Sequence, residues 1–103
     1  MASAKVPSVD DLASLCDQLS DKTRLQIVLL LAKGDRDVSS LIGPLKLTQP
    51  SVSHHLGLLR MNGLVVPNRK GKRVIYSLSE NIKVSGGKIK ISLANATVTV
   101  EGL

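Results

Sequence analysis

Apolar residues recur at helical spacing from residue 9 to residue 63, and beyond Gly63 the period shortens to that of a strand. Val9, Leu12, Cys16 and Leu19 fall three or four positions apart, with Leu15 beside them and Ser8 as an N-cap. This spacing predicts a first helix over 8–20 with one apolar stripe. Asp21 is expected to cap a second helix whose interior, Leu25–Ala32, is apolar nearly all round. Such a helix is expected to be central and buried, with Gly34 as its stop. A short third helix fits Val38–Gly43, ended by Pro44, with Leu45-Lys46-Leu47 as a turn. Thr48 caps a fourth helix that runs to Asn62, because Pro50 falls in the first turn, where its missing N–H costs nothing.

The strand-like remainder divides in two. Leu64–Pro67 and Arg73–Leu78 read as two strands around a basic tip, Asn68-Arg69-Lys70-Gly71-Lys72. Residues 82–101 then alternate as a small antiparallel meander with one apolar face, turning at Gly86-Gly87 and Ala94-Asn95. Helices, a short turn and a basic hairpin in this order predict an α+β fold, a winged helix-turn-helix with a β-hairpin wing and a C-terminal meander. Residues 1–80 form the winged part. Residues 81–103 form an extension that covers the first helix, extends the wing sheet or joins a partner subunit.

The fourth helix has the shape of a groove reader. With Val52 as reference and about 100° per residue, Leu56 and Leu59 lie within about 40° of it. His54, Pro50 and Gly57 lie on the far side, flanked by Gln49, Ser51, Ser53 and Arg60. The outward surface is short, polar and able to enter a major groove about 12 Å wide. Leu58 and Met61 do not fit a purely polar outer face.

Composition narrows the function. Phe and Trp are absent and Tyr76 is the only aromatic, so the core is built from Leu, Ile and Val. A large aromatic-lined cofactor pocket is not expected, and no cofactor is assigned. Of the net charge of +6, residues 37–80 hold +4 and residues 81–103 hold +2, while residues 1–36 balance. That distribution favours a polyanionic partner, DNA or RNA before membrane. A single cysteine, Cys16, excludes an internal disulfide framework. The opening MASAKVPS lacks the apolar core of a signal peptide, and the longest apolar run, Ile27–Ala32, is too short to span a bilayer. A cytoplasmic location is expected.

The run LSDKTRLQIVLLLAKG, with LTQPSVSHHLGLLRMNGLVVPNRKGKRVIYSLS after it, resembles the ArsR/SmtB family of bacterial regulators over residues 19–79. The resemblance implies a homodimeric repressor that binds an inverted-repeat operator in double-stranded DNA until an inducer weakens the complex. It places the recognition helix at 48–62, with Gln49, Ser51, Ser53 and His54 towards bases or phosphates, and Thr48 and Arg60 on the same helix are further candidate DNA contacts. It places Arg69, Lys70, Lys72 and Arg73 in the wing, against the backbone or minor groove, where cations supply affinity without sequence choice. It implies a dimer contact through the first helix, at Val9, Leu12, Cys16 and Leu19. Many relatives bind metals through a thiolate pair in the third helix, but Asp35–Ser40 holds no sulfur, and soft metals need thiolates. No metal is therefore assigned.

Other readings stand beside these. His54 and His55 point about 100° apart on one helix and cannot chelate one ion together. His55, flanking the core face, reads as structural. Cys16 reads as a small buried hydrophobe, with a redox contact across a dimer axis as the sharper alternative. Arg24 reaches a phosphate or serves a local ion pair, and Tyr76 belongs to the core. A winged-helix module that binds protein instead of DNA is the competing function. An enzyme is not expected, because no nucleophile-elbow or oxyanion-hole signature is present.

Overall fold

The computed structural model describes residues 9–93 and 96–101. The expected Ser8 cap and Ala94-Asn95 turn lie outside the described residues, as does the side chain of Leu12. Helices α1 (Val9–Leu19) and α2 (Lys22–Ala32) are followed by a two-residue strand β1 (Arg36–Asp37) and helices α3 (Val38–Leu45) and α4 (Gln49–Met61). Strands β2 (Val65–Lys70) and β3 (Arg73–Leu78) form the wing, and β4 (Ile82–Ser85), β5 (Lys88–Leu93) and β6 (Ala96–Val100) form the extension.

Side-chain caps set where the helices begin. The Asp21 carboxylate accepts the Arg24 N–H at 3.0 Å at the start of α2. Asp37 accepts the Ser40 N–H at 2.9 Å at the start of α3, and Thr48 accepts the Ser51 N–H at 3.4 Å at the start of α4. Each satisfies a donor that the first turn leaves without an intrahelical partner. Pro44 does not end α3 as expected; it sits inside the helix. The stop is Lys46, left-handed at φ 56°, whose N–H returns to the Gly43 carbonyl at 3.1 Å. A proline late in a short helix forfeits a single backbone bond, which the cap one residue beyond Leu45 makes tolerable.

Two three-stranded antiparallel sheets flank the helices, one in the order β1-β3-β2 and the other β4-β5-β6. The wing differs from the expected five-residue tip. Asn68, Arg69 and Lys70 are in the ladder, Lys70 pairs with Arg73, and only Gly71-Lys72 turns. Pro67 reads in sequence as the end of a strand, but β2 is an edge, where a proline needs no ladder donor. Gly71 has φ 65°, which suits a glycine-first two-residue hairpin. Gly86 and Gly87, at φ 55° and 75°, form the expected tight turn between Ser85 and Lys88.

One apolar cluster joins the helices to both sheets. Val52, Leu56 and Leu59 of α4 are fully buried in it, with Leu41 of α3 and Ile27 of α2. Ile82, Ile89 and Ile91 bring the meander into the same cluster, and β6 lies against α1. Two burial expectations are overturned. Leu15 takes the inward face of α1, leaving Val9 80% exposed and Cys16 exposed, so Cys16 is not a core residue of the protomer. In α2 only one side is buried, through Ile27, Val28 and Leu31, whereas Leu25 and Leu29 are more than a third exposed. The uniform run of α2 hides this division, since an all-apolar segment carries no period from which to read a face.

Candidate nucleic-acid interface

Burial of Val52, Leu56 and Leu59 fixes the rotation of α4 and turns Gln49, Ser53, His54, Gly57 and Arg60 to the surface. Ser51 is half-buried, and the Thr48 hydroxyl is engaged in the cap of its own helix. Ser53, His54, Gly57, Leu58, Arg60 and Met61 border an open hollow of about 600 Å³ along this face. Met61 is 82% exposed and Leu58 half-buried, so the outer face carries an apolar end that a purely polar ridge would lack.

The wing is tied to the helices by strand pairing. Arg36 pairs with Tyr76 and Asp37 with Ile75, so β1 fastens the hairpin to the start of α3. Sequence reasoning missed β1 because two residues show no alternation. Arg69, Lys70 and Lys72 are exposed along the hairpin. A cleft of about 240 Å³ is lined by Asp37, Ser39, Gln49, Lys72 and Arg73, with Val38 and Val74. The first residue of α4 and the tip of the wing therefore face one hollow.

Arg73 lies in this cleft with its guanidinium already engaged. Its Nε and Nη2 donate to the same Asp37 oxygen, Oδ2, at 3.0 and 2.7 Å. The other oxygen, Oδ1, accepts the hydroxyl and the N–H of Ser40 at 2.6 and 2.9 Å. The Ser40 hydroxyl and N–H, followed by Arg73, hold the Asp37 carboxyl down to about 2.

Two further groups meet their expectations only in part. His55 is half-buried and its Nδ1 is buried with no hydrogen-bond partner, in keeping with a packed position. Its ring meets that of His54 edge-on, with centroids 5.9 Å apart. Arg24 serves a local role, but through neutral acceptors instead of an ion pair. Its guanidinium donates to the Gln18 side chain at 3.0 Å and to the Asp17 carbonyl at 3.4 Å, tying α2 to the end of α1. Among the described residues no three His, Cys, Asp or Glu side chains come together as a metal site, and no helix is long and apolar enough to cross a membrane.

Comparison with known proteins bears on the same elements. The family model for "Bacterial regulatory protein, arsR family" matches residues 21–66, from the cap of α2 to the first strand of the wing. The arsenical resistance operon repressor of Escherichia coli is 46% identical over 72 residues, which cover 69% of this chain and 62% of that protein. The transcriptional repressor SdpR of Bacillus subtilis is 34% identical over 64 residues, covering 62% of this chain and 71% of that protein. The chain thus spans about three fifths of the length of the Escherichia coli relative. Among solved structures, a homodimeric winged helix-turn-helix DNA-binding domain from Mycobacterium bovis matches with a TM-score of 0.56 and 32% identity, covering 72% of this chain and 75% of that one. On this frame of four helices and a hairpin wing, the chain belongs to the arsR family of bacterial regulatory proteins.

Proposed function

We propose that the chain is a dimeric transcriptional repressor of the cytoplasm, not an enzyme, that grips double-stranded DNA with α4 and the wing. The observation that carries this reading is the shared cleft, in which Gln49 at the head of α4 faces Lys72 at the wing tip. A helix seated in the major groove leaves the hairpin beside it at backbone height. Gln49, Ser53, His54 and Arg60 then face bases and adjacent phosphates, and Arg69, Lys70 and Lys72 the backbone or minor groove. The relatives' names support the assignment, being those of repressors. The homodimer is read onto the outer face of α1, where Val9 and Cys16 are exposed. Two copies related by a two-fold axis would present two α4 helices to an inverted repeat.

Salt dependence tests the reading directly. Affinity for a random duplex should fall steeply as salt rises, and replacing Arg69 and Lys70 by Ala should reduce the slope by up to ~1.8, about 0.9 for each phosphate no longer neutralised. The weakening should be alike on all sequences, because phosphate contacts carry no base information. A flat salt response in the unaltered protein favours the protein-binding module instead.

A further inference from the structure

Asp37 divides its two oxygens between two elements. Oδ1 caps α3 through Ser40, and Oδ2 holds Arg73, 36 positions away at the start of β3. Its side chain is only 14% exposed, whereas that of Arg73 is 66% exposed. An ion pair with one partner so exposed adds little to stability. Its consequence lies in where it holds the wing. Nε and Nη2 converge on Oδ2 while Oδ1 serves the helix cap, so the bond keeps Arg73 turned towards the α3 terminus. A phosphate taking Arg73 from Asp37 would come up against that carboxylate, which the Ser40 hydroxyl and N–H and Arg73 keep ionised down to about pH 2. Like charges repel, and the Arg73 charge is already partly offset by the carboxylate it holds.

We propose that Arg73 is a strut and not a phosphate ligand, with Asp37 as the positioning residue that sets the wing against α3 and Lys72 opposite Gln49. The cations that meet the duplex backbone are then Arg69, Lys70 and Lys72. The fourth basic residue of the hairpin instead holds the wing in place. This inference rests on the proposed duplex binding and assigns the roles within it.

The slope of log affinity against log salt, measured on a random DNA duplex, separates a strut from a phosphate contact. Arg73→Gln should lower affinity by a similar factor at every salt concentration and leave the slope unchanged. Asp37→Asn keeps an oxygen for the cap, since Asn caps as well as Asp. It should steepen the slope by up to about 0.9, because Arg73 is released to find a phosphate. Adding Arg73→Gln to Asp37→Asn should return the slope to that of the unaltered protein. Should Arg73→Gln alone make the slope shallower by about 0.9, Arg73 is a phosphate ligand and the inference fails. It fails equally if Asp37→Asn leaves the slope where it was. Arg73→Gln does not touch the cap, so it decides the question even if the Asp37 variant folds poorly. An unaltered protein whose binding ignores salt removes the duplex reading itself, a result distinct from either.

Discussion

Gly57 lies on the outer face of α4, and a Cβ built there meets no atom within 4 Å. Packing inside the protomer therefore does not ask for glycine, although glycine in mid-helix costs roughly 0.5–1 kcal/mol relative to alanine. The residue does leave the helix slim where a groove wall or base edge would approach. Gly57→Ala should raise thermal stability by about that amount and at the same time weaken duplex binding. If both rise together, α4 does not ride close to DNA at this point. Asp37 gives a second outcome, legible in pH. Its folded pKa lies below the ordinary carboxylate value of 3.8, at about 2. Ionised Asp37 thus stabilises the fold above about pH 4, and that contribution fades as pH falls towards 2. Acid unfolding of the protein and of Asp37→Ala should accordingly converge over this window; a constant gap between them contradicts the assignment. The outward placement of Ser53 and His54 was legible from the 3.6-residue period alone, since Val52, Leu56 and Leu59 fix the opposite face. The engagement of Arg73 was not, because its partner is 36 positions away and no local pattern connects them.

At the scale of elements, periodicity revealed what had one wet face and failed where both neighbours were apolar or the element was short. The caps of α2 and α4 were readable because Asp21 stands shortly before the apolar run Leu25–Ala32 and Thr48 two residues before Pro50 in a first helical turn. The orientation of α1 was harder, since Val9, Leu12, Leu15, Cys16 and Leu19 fill more than one helical stripe. Leu15 is the residue that the core takes. The meander's apolar alternation was plain in sequence, but its destination was not, because an apolar strand face fits a helix, a sheet or a partner equally well. Within the protomer, Ile89 and Ile91 join the apolar cluster that holds Ile27, Val28 and Leu31 of α2. Ile91 is 2% exposed on the central strand of its sheet. Ile91→Ala should therefore cost about 2–5 kcal/mol, read as a lower urea midpoint. Lys83→Ala, on the opposite face of the same sheet, should change the midpoint very little. Equal effects would mean that the meander is not fastened through its apolar side.

At the scale of the whole molecule, the described residues extend over 49 × 27 × 25 Å, and the apolar side chains left outside the core are not scattered evenly. Leu19, Leu25, Leu29 and Val100 border a hollow of about 290 Å³ whose floor is Val28, Ile89 and Ile91. Leu29 and Ile89 continue into a second hollow bounded by Val84. Leu25, Leu29, Val84 and Val100 are the exposed apolar side chains along these hollows. The outer face of α1 starts at the same border, because Leu19 ends that helix. In the proposed homodimer α1 lies near the two-fold axis, and Cys16, being exposed and the only thiol in the chain, reports on that placement. A disulfide forms only when the two Cα atoms come within about 7 Å, which makes oxidation a stringent ruler. Mild oxidant should convert the protein to a covalent dimer, and Cys16→Ser should abolish the conversion while leaving the non-covalent dimer in sedimentation. Val9→Asp should shift the same sedimentation profile towards monomer and weaken binding to an inverted repeat far more than to a single half-site. If the protein sediments as a dimer but Cys16 never cross-links, and Val9→Asp changes nothing, the axis lies away from α1 and the apolar hollows beside α2 become the place to look for it.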